Sequence, residues 1–172
     1  LRVWEGGMSF HGGFLWVCLA LILFSKKYTL SLWRLADDIA LIVPVGLFFG
    51  RIGNYINKEL LGFPYEWILA VKTSAGSYFP SPLVEAFLEW IVIYIVLQYI
   101  ARRQQFSGQI ASLFLILYGV FRTFVELFIR TPDAQIGYYF WFFTQWSFLS
   151  IPMIIIGWVM YYILSQKNYA SK

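Results

Sequence analysis

The sequence predicts an all-α, polytopic integral membrane protein with about five transmembrane helices in a single helical domain covering residues 1–172. Of the 172 residues, 60% are hydrophobic and only 13% are charged, which lies far outside the range of soluble domains. Uncharged stretches recur along the chain, and the longest covers residues 138–164. About 20 apolar residues cross a ~30 Å hydrocarbon core as a helix. The alternation of a transmembrane barrel strand is absent, so the spans are predicted to be helical.

Five apolar segments account for most of the chain. In chain order they are residues 8–25, 36–50, 83–101, 109–128 and 138–164. The first ends at a pair of lysines and the third at a pair of arginines. The fifth begins with an aromatic-rich stretch typical of a membrane interface. The longest polar region, residues 51–82, lies between the second and third segments. Because the chain begins at Leu1 rather than at a methionine, we expect it to be part of a longer protein.

Basic residues predict the orientation of these segments. Lys26, Lys27 and Arg34 follow the first segment, Arg102 and Arg103 follow the third, and Lys167 and Lys172 lie at the end of the chain. Short loops rich in Lys and Arg face the cytoplasm. The C-terminus is therefore predicted to be cytoplasmic, and the polar region 51–82 is predicted to face the outer side. The formal net charge of +4 is modest and does not indicate a nucleic-acid partner.

Five ionisable side chains from four segments are predicted to lie at similar depth. Counting 1.5 Å per helical residue from the cytoplasmic ends places them in the outer half of the membrane. They are His11, Arg51, Glu85, Arg122 and Glu126. Burying such a group in the hydrocarbon costs several kcal/mol on most scales, so these residues are expected to pair or to line a wet cavity. The alternative for each one alone is that its side chain extends to the outer interface.

The fourth segment carries the clearest polar pattern. Tyr118, Arg122, Glu126 and Arg130 follow one another at four-residue spacing, which places them on one helical face. They could form an ion-pair ladder that holds helices together. They could also form an anion site with Arg51, because guanidinium groups bind phosphate bidentately.

Four motifs, in order, resemble those of the bacterial prolipoprotein diacylglyceryl transferases. They are "VWEGGMSFHGG" at 3–13, "GRIGNYINKELLG" at 50–62, "YGVFRTFVELFIRTPDAQIG" at 118–137 and "LSIPM" at 149–153. The resemblance implies a seven-helix enzyme of the bacterial inner membrane whose N-terminal part is missing here. It implies transfer of the diacylglyceryl group of phosphatidylglycerol to the lipobox cysteine of a prolipoprotein, forming a thioether. It implies no metal and no soluble cofactor.

The resemblance also assigns roles to individual residues. His11, Arg51 and Arg122 match the residues thought to carry catalysis, with the arginines on the lipid headgroup and the histidine as a proposed base. The predicted substrate-binding set is Arg51, Asn54, Glu59, Gly62, Glu85, Tyr118, Glu126 and Arg130. One motif departs from the family, since residues 79–85 read "FPSPLVE" where "HPSQLYE" is usual.

Two other classes of function remain open at this point. Intramembrane charges are also found in transporters and channels, although no internal repeat supports that interpretation. A divergent or inactive homologue is the other alternative, because the changed motif removes a histidine, a glutamine and a tyrosine.

Overall fold

The computed structural model describes residues 10–129 and 145–170, and these fold as a bundle of helices with one short β-hairpin. The helices are α1 (Phe10–Tyr28), α2 (Leu32–Ile56), α3 (Ser81–Ala86), α4 (Ile93–Ala101), α5 (Gln109–Phe128) and α6 (Gln145–Ala170). A π-helical segment, Phe87–Val92, joins α3 to α4 without a break. The hairpin strands are β1 (Val71–Thr73) and β2 (Gly76–Tyr78), paired antiparallel.

Three helices in the described part of the chain are long and apolar enough to cross a membrane. They are α2, the continuous helix Ser81–Ala101 and α5. This confirms the predicted all-α membrane class. The total of about five spans stays a prediction, because the structure identifies three.

Helix boundaries agree best where the sequence is most regular. Helix α5 begins and ends at the predicted residues. Helix α2 is longer than predicted and continues to Ile56, so Arg51 lies on a helix rather than at the start of a polar loop. Its end is marked by Lys58 and Leu60, whose φ angles of 57° and 56° are left-handed and incompatible with a continuing helix. The hairpin within the α2–α3 loop was not predicted, because its strands are only three residues long.

The core is built around α5, which packs most extensively against α6. Glycines allow this approach: a Cβ on Gly119 would lie 2.6 Å from a side-chain carbon of Ile154, and a Cβ on Gly157 would lie 2.9 Å from the carbonyl oxygen of Ser112. Small residues at such crossings let membrane helices pack closely. Helices α2, α3 and α4 also pack against α5.

A carboxylate on α2 fixes the start of α5. Asp37 is buried, and its two oxygens accept hydrogen bonds from the backbone N–H groups of Gly108 (2.6 Å) and Ala111 (2.8 Å). The first N–H groups of a helix have no partner within the helix, so this side chain acts as their cap from a neighbouring element. Helices α2 and α5 then run in the same direction, which brings Arg51 level with Arg122.

The α2–α3 loop (57–80) folds back onto the helix that follows it. The backbone N–H of Gly62 donates to the carbonyl of Phe79 (2.9 Å), and the hydroxyl of Ser81 donates to the carbonyl of Leu60 (2.7 Å). A Cβ on Gly62 would lie 2.6 Å from the carbonyl oxygen of Ile129, just beyond α5. The absence of a side chain at Gly62 therefore allows the loop to approach the end of α5 closely.

Candidate functional site

Charged side chains from three helices meet in the interior of the bundle. Arg51 comes from α2, Glu85 and Glu89 come from the Ser81–Ala101 helix, and Arg122 and Glu126 come from α5. The two glutamates of the Ser81–Ala101 helix are fully buried, and the exposed fraction of the whole residue is 7% for Arg122 and 6% for Glu126. Four of the five groups predicted to share one depth thus form one cluster.

A single carboxylate oxygen joins the two arginines. Oε2 of Glu85 accepts from Nη1 of Arg122 at 2.6 Å and lies 3.1 Å from Nη1 of Arg51. The guanidinium groups, which start on different helices, therefore converge on one point. Such convergence needs an anionic oxygen between them, because two cations would otherwise repel each other in a medium of low dielectric constant.

The second carboxylate of this helix fixes the orientation of Arg51. Glu89 accepts from Nε of Arg51 at 2.9 Å and from Nη2 at 3.3 Å, a bidentate arrangement that sets the plane of the guanidinium. Nη1 of Arg122 lies 3.8 Å from the same carboxylate. Glu89 was not among the predicted site residues. The available signal was its position four residues after Glu85 in an otherwise apolar helix, which places both carboxylates on one face.

A π-helical segment carries Glu89. Short π-helical turns inside α-helices are rare and frequently lie at functional sites. Glu85, near the end of α3, and Glu89, inside the π-helical segment, both reach the arginines, and Ile93 and Leu97 of α4 are buried in the apolar core.

On α5, the charges continue along the predicted ladder. An oxygen of Glu126 lies 3.8 Å from Nη2 of Arg122, an ion pair beyond hydrogen-bond distance. Tyr118, one turn before Arg122, is 3% exposed and stacks on Phe114 with 5.8 Å between ring centroids. The predicted ion-pair ladder on this face therefore includes the Arg122–Glu126 pair. The same face also contacts the carboxylates of the Ser81–Ala101 helix, which pair with the arginine of α2 as well.

Among the residues that the structure describes, two guanidinium groups and three carboxylates meet in this cluster. Within the described part of the chain, Oε1 of Glu85 is buried without a hydrogen-bond partner. A buried acceptor without a donor costs ~1–3 kcal/mol. A hydrogen bond to this oxygen from a substrate or a water molecule would remove that cost.

The remaining predicted residues lie near the end of α2 or outside the described set. Asn54 is three residues after Arg51 on the same helix and donates to Glu59 at 3.2 Å in an exposed pair. The backbone of His11 belongs to α1, but its side chain is outside the described residues, and so is Arg130. The structure therefore does not test the roles predicted for those two side chains.

Comparison with known proteins identifies the family. The family model "prolipoprotein diacylglyceryl transferase" matches residues 1–163. A relative from Hydrogenovibrio crunogenus is 46% identical over 166 residues, covering 92% of this chain and 62% of its own length. One from Pasteurella multocida is 45% identical over 170 residues, covering 96% and 63%. Both are named phosphatidylglycerol–prolipoprotein diacylglyceryl transferase.

This chain spans about three fifths of the length of these curated relatives. The family match nevertheless covers all the helices described here except the end of α6. The chain belongs to the prolipoprotein diacylglyceryl transferase family.

Proposed function

We propose that the full-length protein transfers the diacylglyceryl group of phosphatidylglycerol to the lipobox cysteine thiol of prolipoproteins. The observation that carries this proposal is the convergence of Arg51 and Arg122 on one oxygen atom inside a membrane-spanning bundle. A phosphodiester offers oxygen acceptors of the kind that the carboxylate of Glu85 presents. The names of the relatives supply the lipid and the acceptor protein.

The chemistry requires positive charge at the leaving group. The thiolate sulfur attacks the glyceryl carbon that bears the phosphate, a carbon–sulfur bond forms, and the carbon–oxygen bond to phosphate breaks. The products are the thioether and glycerol-1-phosphate, on which the negative charge of the departing oxygen collects. Arginines fixed before the reaction stabilise such charge without reorganising, and each preset donor contributes on the order of 10²–10³ in rate.

A base must take the thiol proton, because the thiolate is the nucleophile. His11 is our candidate on the basis of the family motif. In this proposal the histidine, directly or through a water, receives the proton as sulfur attacks. Tyr118, Glu126 and Arg130 continue the charged face of α5, while Asn54, Glu59 and Gly62 hold the adjoining end of α2 and the start of its loop.

The proposed setting is the bacterial inner membrane, with the site toward the outer leaflet and the C-terminus in the cytoplasm. The basic clusters of the sequence support this orientation. Residues 1–172 are proposed to form one transmembrane domain with about five spans. The polypeptide substrate is the signal peptide of a prolipoprotein, entering from the same membrane.

A transfer assay tests the proposal. The full-length protein in phosphatidylglycerol vesicles would be mixed with a lipobox peptide, and thioether product would be followed by mass shift. We expect Arg51→Ala and Arg122→Ala each to lower kcat/KM by about 10²-fold or more. Arg103→Ala is the matched control, because Arg103 is exposed and contacts the Tyr99 ring. Full activity in a folded Arg122→Ala protein would refute the assignment.

A further inference from the structure

The α2–α3 loop has two exposed tips of opposite character. The hairpin turn between β1 and β2 is polar and small, with Ser74, Ala75 and Gly76 exposed. The other tip consists of Trp67, Ile68 and Leu69, whose exposed fractions are 77%, 96% and 65%. We call these three residues the apolar tip. Ile68 is the most exposed of the large apolar side chains in the described part of the chain.

The apolar tip is a fixed feature of the loop. A backbone hydrogen bond from Ala70 to the carbonyl of Trp67 (2.8 Å) closes the turn that presents it. The loop also has an aromatic cluster of its own, in which Phe63 stacks on Phe79 with 5.0 Å between centroids and an angle of 10°. The three side chains of the apolar tip remain exposed beside that aromatic cluster. Three consecutive large apolar side chains exposed to water are unfavourable and usually indicate an interaction site.

The α2–α3 loop connects the ends of two membrane-spanning helices. It begins where α2 ends at Ile56 and it ends where α3 begins at Ser81, and both helices belong to membrane spans. Hydrogen bonds at Gly62 and Ser81 hold it against those helix ends. Both ends of the loop therefore lie at the membrane surface. Trp prefers the interface between headgroups and acyl chains, and Ile and Leu prefer its apolar side.

We propose that the apolar tip inserts into the boundary between lipid headgroups and acyl chains and anchors the α2–α3 loop to the bilayer. The polar hairpin turn then faces water, so the two tips give the loop a single orientation on the membrane. Because Gly62 packs beside the carbonyl of Ile129 at the end of α5, this anchor also steadies the loop where it meets the helix that carries Arg122. The proposal concerns lipid contact and is independent of the transfer reaction.

Site-directed fluorescence tests this placement. In the full-length protein with its native cysteines replaced, Ile68→Cys would carry an environment-sensitive nitrobenzoxadiazole dye. Ala75→Cys on the polar hairpin turn is the matched control, since both positions are exposed and lie in the same loop. The protein would be reconstituted in vesicles of phosphatidylethanolamine and phosphatidylglycerol. Phospholipids with a nitroxide near the headgroup would act as membrane quenchers, and iodide would act as the aqueous quencher.

We expect the dye at Ile68 to show blue-shifted emission, strong quenching by the labelled lipids and weak quenching by iodide. The dye at Ala75 should show the opposite pattern. Iodide quenching that is strong at both sites would overturn the proposal, because the tip would then lie in water. Protection from both quenchers at Ile68 would also overturn it, because a protein or peptide surface would then cover the tip.

Discussion

Replacing Glu89 by glutamine should show how much its bidentate contact contributes to the orientation of Arg51. The carboxylate is fully buried and accepts two hydrogen bonds from one guanidinium, at 2.9 and 3.3 Å. Glutamine has nearly the same shape but only one acceptor oxygen, so one of the two bonds is lost and its amide N–H₂ faces an arginine donor. A hydrogen bond to a charged group contributes about 1.5–3 kcal/mol.

That loss sets the expected size of the effect. If Arg51 acts mainly on the departing phosphate, ~2 kcal/mol of lost orientation lowers kcat by about 30-fold. The KM for phosphatidylglycerol should not rise, because Glu89→Gln also removes a carboxylate that competes with phosphate for the same guanidinium. Steady-state kinetics of the full-length protein in vesicles, with lipid and peptide varied separately, measure both values.

Glu66→Gln is the control for Glu89→Gln, because Glu66 is an exposed glutamate of the α2–α3 loop. Thermal unfolding of both variants shows whether the change acts on folding alone. A Glu89→Gln protein with lower thermal stability but unchanged kcat per folded molecule would refute the positioning role. An unchanged kcat together with unchanged stability would refute the importance of the bidentate contact altogether.

Two further predictions concern how the bundle holds the site. Gly62→Ala should destabilise the protein by about 1–3 kcal/mol, because its Cβ would lie 2.6 Å from the carbonyl oxygen of Ile129. Gly46→Ala is the control in thermal unfolding and should be neutral or stabilising, because a Cβ there meets no atom within 4 Å. Equal destabilisation by the two substitutions would contradict the close approach at Gly62. Asp37→Asn should cost about 1–3 kcal/mol, because the amide has one acceptor oxygen for the two N–H groups at the start of α5. The exposed Asp38→Asn is its control in the same melts, and a similar loss in both would show that the buried cap contributes nothing.

The sequence predicts the membrane class and much of the cluster because both follow from regular helices. Counting 1.5 Å per residue placed Arg51, Glu85 and Arg122 at one level, and the structure joins these three through one oxygen atom. The same count cannot say which side of a helix faces its neighbours, since that depends on packing between helices. Glu89 was missed although its position four residues after Glu85 was an available signal, and the π-helical segment that carries it has no simple sequence signal. The β-hairpin was missed because pairing of three-residue strands depends on the aromatic contacts of the folded loop.

The exposure and the existing ion pairs of the two arginines indicate the order in which an anion would meet them. Arg51 is the more exposed, with 13% of its side chain accessible against 8% for Arg122, while Glu85 and Glu89 are fully enclosed. Three of the five N–H donors of Arg51 serve its two carboxylate partners, which leaves two for a new acceptor. A phosphodiester can therefore bind Arg51 before any existing ion pair breaks. To reach Arg122, the phosphodiester must compete with Glu85, which accepts a hydrogen bond from Arg122 at 2.6 Å. We therefore expect the lipid phosphate to bind Arg51 first and to contact Arg122 as it leaves, so that both arginines lower the barrier to transfer and Arg122→Ala lowers kcat with little change in KM.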